Sequence, residues 1–192
     1  MPHTLLHAKP PGRPRSGRAR ACRRTRPGGF TLIEALVTIV VLAFGVLALA
    51  ILQTQTLLDT RTASMRNVAT AMAYNLADQI RANERALTAG TYSNLTANPK
   101  PEPVAACYTA AGCTPEQMAL TSFAAWLDDV GAALPGGTGI VCVDSTPTDG
   151  TSPAVHGCDN VAGAPYVIKI WWREDSKSND TPIQRFVTAV VP

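Results

Sequence analysis

Residues 28–47 read GGFTLIEALVTIVVLAFGVL, and the reading of this stretch decides the fold. Two glycines open it. From Phe30 to Leu52 the chain then runs 23 residues with Glu34 as its only charge. At about 1.5 Å of rise per residue, such a helix is long enough to cross a hydrocarbon core of roughly 30 Å. A carboxylate at the centre of a spanning helix costs about 2.5–3.5 kcal/mol, so a tolerated one has a partner or reaches the interface. Glu34 lies one turn inside the run, where either solution is within reach.

The flanks sharpen this reading. Residues 1–29 carry Lys9, Arg13, Arg15, Arg18, Arg20, Arg23, Arg24 and Arg26 and no acid. The other nine of the 17 bases face all 14 acids, a formal charge of −5 beyond residue 29. The overall charge of +3 is therefore a poor guide to partners, and a nucleic-acid reading of the whole chain is not favoured. The Pro-, Gly- and Arg-rich segment 1–27 lacks the apolar content for a core and reads as a disordered basic leader. Arginines directly before an apolar span place that side in the cytoplasm and the remainder outside.

The helical pattern continues past the span. Leu58, Met65, Val68, Met72, Leu76 and Ile80 form one apolar stripe, with Arg61, Arg66, Asn67, Asn75 and Asp78 between them. The first proline after Phe30 is Pro99, and Gly45 costs only about 1 kcal/mol in a helix. The expectation is one helix from about residue 31 to about 86, on the order of 80 Å long, apolar all round in its first half and on one face in its second. A plain anchor would need no such continuity.

Gly90, Pro99, Pro101 and Pro103 then mark a loop. A second helix starts at Thr114 as N-cap, with Pro115 as its first residue and Gln117 completing a capping box. Met118, Phe123, Trp126, Leu127, Val130 and Leu134 form its apolar face, and LPGG at 134–137 ends it. Strand-like runs follow at 139–145, 165–174 and 185–191. In the middle run Tyr166, Ile168, Ile170 and Trp172 share one face, with Lys169 and Arg173 opposite. Of the pair Trp171–Trp172, one ring is expected in the core and the other on the surface, open to a neighbouring protein. A turn over 174–182 makes the last two strands antiparallel. The fold class is α+β: a long N-terminal helix whose amphipathic half covers one face of a small antiparallel sheet, with a short second helix.

Gly29-Phe30-Thr31-Leu32-Ile33-Glu34, after a basic leader and before an apolar segment, resembles the N-terminal signal of type IV pilins and their relatives. CYTAAGCTPEQMA (107–119), LPGGTGIVC (134–142) and YVIKIWWRED (166–175) resemble the minor pilins known as type IV pilus modification proteins. The resemblance implies that a prepilin peptidase in the inner membrane cuts after Gly29 and methylates the new N-terminus, Phe30, and that Glu34 is needed for assembly. It divides the chain into a cleaved leader (1–29), a transmembrane and assembly half-helix (30–52) and a periplasmic head (53–192). Implied partners are the peptidase, other major and minor pilins and the assembly platform. The implied locations are the inner membrane and the extracellular pilus, with roles in pilus assembly and initiation, twitching motility and attachment. The leader is longer than is usual in this group. The helix-bending proline of major pilins is replaced here by Ile51.

Two alternatives use the same residues differently. One is a pseudopilin of a type II secretion system. The other is a secreted, disulfide-bonded binding domain with an ordinary signal peptide, for which ALA at 48–50 offers a cleavage site. Glu34 inside the apolar run and the stripe beyond Leu52 count against the second.

Cys22 lies in the leader, while Cys107, Cys113, Cys142 and Cys158 lie in the acidic part, an even set that reads as two disulfides in an oxidising compartment. Four cysteines allow three pairings. The expected one is Cys107–Cys113, before the second helix, with Cys142–Cys158, after the first strand. A zinc site would use Cys142, His156 and Cys158, whose spacings suit no common zinc module. His156 has no evident nucleophile partner, and Asp128-Asp129 point apart on a helix. No phosphate loop, dinucleotide fingerprint or nucleophile elbow is present in the sequence. No catalytic residue, metal or cofactor is expected, and no direct contact with nucleic acid.

Overall fold

A computed structural model describes residues 28–174 and 183–190. The leader through residue 27, Cys22 within it, residues 175–182 of the expected turn and Val191 lie outside the described residues. The chain falls into two compact units, Met1–Ala48 and Leu49–Pro192.

Helix α1 spans Leu32–Ala82, 51 residues, and runs through Gly45 and Ile51 as regular α-helix. In its first unit the side chains are exposed all round, as the composition requires. In its second unit Met65, Ala69, Ala73, Leu76, Ala77 and Ile80 are buried. These sit at the three- and four-residue spacings that return to one helical face. The fully buried Ala69 and Ala73 add little bulk to that face.

The sequence suggested a helix to about residue 86; the structure ends α1 at Ala82 and restarts at α2, Glu84–Thr88. Asn83 is the cause. Its side-chain oxygen accepts from the Ala86 N–H at 3.3 Å, and its amide donates to the Pro115 carbonyl at 2.7 Å. An asparagine that bonds nearby backbone competes with the helix ladder and favours a cap.

Helix α3 spans Pro115–Ala133 and begins as its sequence signals: Thr114 Oγ1 accepts from the Gln117 N–H at 3.2 Å, and Gln117 Oε1 accepts from the Thr114 N–H at 3.0 Å. Phe123, Trp126, Leu127 and Val130 are buried, whereas Met118 is exposed. The Trp126 indole N–H reaches the Met72 carbonyl of α1 at 2.9 Å, so this large ring is buried without an orphaned donor.

Four strands, β1 (Asn94–Leu95), β2 (Thr138–Val143), β3 (Tyr166–Arg173) and β4 (Ile183–Val190), form an antiparallel sheet in that order. The two-residue β1 was not foreseen, being too short to show a period. On the inner face Leu95, Val141, Ile168, Ile170, Trp172 and Phe186 pack with α1 and α3 in one core. Gly139 belongs to this face because a Cβ there would overlap the Trp126 ring.

The outer face corrects the sequence reading. Alternation put Lys169 opposite the core and left one tryptophan on the surface, yet Lys169 is fully buried and Trp171 and Trp172 are 1% and 2% exposed. The long β2–β3 connection covers this face, where Ile140, Cys142 and Trp171 form a second, smaller cluster with Cys158. Neither tryptophan offers a surface to another protein.

Candidate functional site

The N-terminal residues singled out by the sequence lie together at the start of α1. Gly28 to Thr31 have no regular structure, and the helix begins at Leu32. A Cβ on Gly28 or Gly29 would meet nothing within 4 Å, and Phe30 is 85% exposed. The Gly29–Phe30 bond is therefore open and lies outside the helical hydrogen bonds.

Thr31 caps the helix. Its carbonyl accepts from the Ala35 N–H at 3.2 Å, and its hydroxyl accepts from the Glu34 N–H at 3.3 Å. Glu34 is thus the third helical residue, and T-L-I-E has capping-box spacing. A carboxylate in the first turn also faces the positive end of the helix dipole, an effect of about 0.3–1 kcal/mol. Sequence reasoning missed the role of Thr31, although the Thr-x-x-Glu spacing announces it.

The local cap explains why an acid is tolerated here but not what surrounds it. Phe30, Leu32, Ile33, Leu36, Val37 and the apolar residues on to Leu58 are all exposed. This helix is long and apolar enough to cross a membrane by length and composition. Such a surface is satisfied by lipid or by other helices.

In the head the structure pairs Cys107 with Cys113 and Cys142 with Cys158. Both sulfurs considered for zinc are therefore bonded to each other. The third group beside them is Asp144, whose Oδ2 lies 2.6 Å from the Lys169 ammonium, with both side chains fully buried. His156 is likewise engaged, its Nδ1 accepting from the Cys158 N–H at 3.1 Å. Among the described residues, the Cys142, Asp144 and Cys158 donors that lie together are engaged in a disulfide and an ion pair.

Lys169 was also missed by the sequence reading. Its ammonium lies 3.0 Å from Asp149 Oδ1 and donates to the carbonyls of Asp149 and His156 at 3.2 and 2.8 Å. The Thr146 hydroxyl, followed by the Lys169 ammonium, holds the Asp149 carboxyl below its ordinary range. The Ser145 hydroxyl and the Val161 N–H do the same for Asp159. These shifts stabilise a loop and activate no nucleophile. Asp128, one of the adjacent acids on α3, is exposed and paired with Lys100 at 2.5 Å. A cavity of about 290 Å³ between α1 and α3, lined among others by Gln79, Tyr108, Ser122 and Asp129, holds a single carboxylate.

Residues 24–50 match the family described as the prokaryotic N-terminal methylation motif. The chain carries that motif. No curated protein and no solved structure matches the chain. The methylation motif takes in Gly29, Phe30, Thr31 and Glu34 and the first turns of α1, and it supports a type IV pilin-like N-terminus. With the long N-terminal helix, the four-stranded antiparallel sheet and the short further helix, the chain has a pilin-like α+β organisation. The matched segment stops at Ala50, within α1.

Proposed function

We propose that the chain is a minor type IV pilin, a non-enzymatic structural subunit of the PilV kind, held in the inner membrane as a precursor and inserted into the pilus. The observation that carries this reading is the match of residues 24–50 to the methylation motif. The open Gly29–Phe30 bond ahead of the helix supports it, since a peptidase grips extended chain more readily than helix.

Cleavage after Gly29 creates a new amine on Phe30, which is then methylated. Within one chain this amine lies about one turn from Glu34; between staggered neighbours the amine of one subunit meets the acid of the next. In a medium of low dielectric such a pair is far stronger than in water, and it sets the register of helix on helix. Residues 30–52 then pack in lipid or filament, and the disulfide-stapled head of residues 53–192 faces outward. Partners are prepilin peptidase, other pilins and the assembly platform; the work is pilus assembly and initiation, with motility and attachment downstream of it. A pseudopilin of a type II secretion system would use the same motif and the same chemistry.

The test is the N-terminal mass of the protein recovered from membranes and from sheared pili. N-methylated Phe30 in the sheared fraction is the expected result. An intact leader or a start at Ile51 would overturn the pilin reading. Processed protein confined to membranes, with secretion rather than piliation lost on deletion, would shift the assignment to the pseudopilin.

A further inference from the structure

The β2–β3 connection of the head, residues 144–165, contains no helix or named strand, yet it roofs the outer face of the sheet. Each long strand fastens it by different chemistry. Cys142 of β2 is bonded to Cys158. Lys169 of β3 holds Asp144, Asp149 and His156. Arg185 of β4 donates to the carbonyls of Thr148, Asp149 and Gly150.

The Lys169 fastening lies where the loop crosses itself. Gly150 and Gly157 both have positive φ, 81° and 79°. A Cβ on Gly150 would overlap the His156 carbonyl, and one on Gly157 would overlap the Asp149 carboxylate. The segments 149–150 and 156–157 thus meet closely, with the buried ammonium bonded to both. The next residue is Cys158, whose N–H is held by His156.

We propose that this crossing forms before the Cys142–Cys158 bond and places Cys158 for it, so that Lys169 is a positioning residue for oxidation of this pair. The chemistry is thiol–disulfide exchange with a disulfide oxidant. One cysteine thiolate attacks a sulfur of the oxidant and releases its first thiol. The second cysteine displaces the remaining half and closes the S–S bond. Two cysteine thiols lose two electrons and two protons, and the oxidant leaves as two thiols. Without the crossing, Cys158 would search for Cys142 from a flexible loop with 16 residues of separation, at a lower effective concentration.

The test uses the detergent-solubilised full-length chain carrying Cys22→Ser, reduced and then reoxidised with oxidised glutathione, with each pair followed by alkylation and peptide mass. Lys169→Met is expected to close Cys142–Cys158 about tenfold or more slowly, on the scale of a lost effective concentration, while Cys107–Cys113 closes at the parent rate. An unchanged rate for Cys142–Cys158 overturns the proposal. If Lys169→Met slows both pairs, the variant is misfolded and the decision passes to Cys142→Ser/Cys158→Ser. In that chain, hydrogen exchange of the Thr151 and Asn160 amides reads the loop directly, because they bond to Val155 and Val143 carbonyls. Retained protection supports a crossing that stands without the disulfide; lost protection overturns it.

Discussion

The two stretches of α1 have similar backbones and opposite burial. From Leu32 to Leu58 the large apolar side chains are exposed on every side, whereas from Met65 to Ile80 one stripe is buried and the rest faces water. In both, the helix satisfies its own hydrogen bonds, so the contrast comes from side chains alone. The second stretch has its partner in the chain, in the inner face of the sheet and α3. The first is exposed among the described residues, and its apolar surface exceeds what a soluble surface tolerates. The amphipathic stretch therefore speaks of stability and the apolar one of assembly, and substitutions in the two should be read out by different experiments.

The largest separation is expected from Glu34→Ala. On the proposed function it leaves the Phe30 amine unpaired in an apolar medium, and loss of one member of a buried pair costs about 3–5 kcal/mol. Incorporation into sheared pili should fall by roughly a hundredfold to a few thousandfold, with the thermal transition of the head unchanged. Normal piliation by this variant would break the comparison at its assembly end. Phe123→Ala, at the fully buried centre of α3, should do the reverse. It should cost about 3–5 kcal/mol of head stability by chemical denaturation and leave cleavage after Gly29 intact. Thr114→Ala should cost about 1 kcal/mol, because it removes one half of an intact capping box.

What was legible in the sequence follows from how local each signal is. The apolar run, the stripe from Leu58 to Ile80 and the Thr114-Pro115-Glu116-Gln117 start are written within a few turns of chain, and both helices form there. The pleat of β3 put Ile168, Ile170 and Trp172 on one face, and they share the core. The break at Asn83 was legible only in its local half, the cap on the Ala86 N–H; the other half is the bond to the Pro115 carbonyl 32 residues away. Nor was the burial of Lys169: a lysine in an alternating strand reads as solvent-facing unless the chain supplies a roof. This roof is irregular, and its acids, Asp144 and Asp149, look like ordinary turn residues until the fold brings them to the ammonium. At the N-terminus Gly29, Phe30 and Glu34 stand out by type and spacing, and the Thr31 cap is written there too, as Thr-x-x-Glu.

The smallest effect, and the one that isolates the roof from both stretches of α1, is its response to acid. Asp149 and Asp159 have folded-state pKa values below their ordinary range, Asp149 through the Thr146 hydroxyl and then Lys169, Asp159 through the Ser145 hydroxyl and then the Val161 N–H. A depressed folded value means that the unfolded chain binds protons first as pH falls. The stabilisation is complete above the ordinary aspartate range of about 4 and drains away as pH descends through the lower folded values. Thermal unfolding followed between neutral pH and about pH 3 should therefore show a loss that Asp149→Asn reduces. Both carboxylates contact solvent, so the change should be modest and should shrink further in high salt where the Lys169 attraction contributes. Phe123→Ala should lower the whole profile without changing its slope, because it removes packing and no proton-binding group. If Asp149→Asn left the acid slope untouched, the hydroxyl and ammonium contacts at Asp149 would have no part in the acid response of the head.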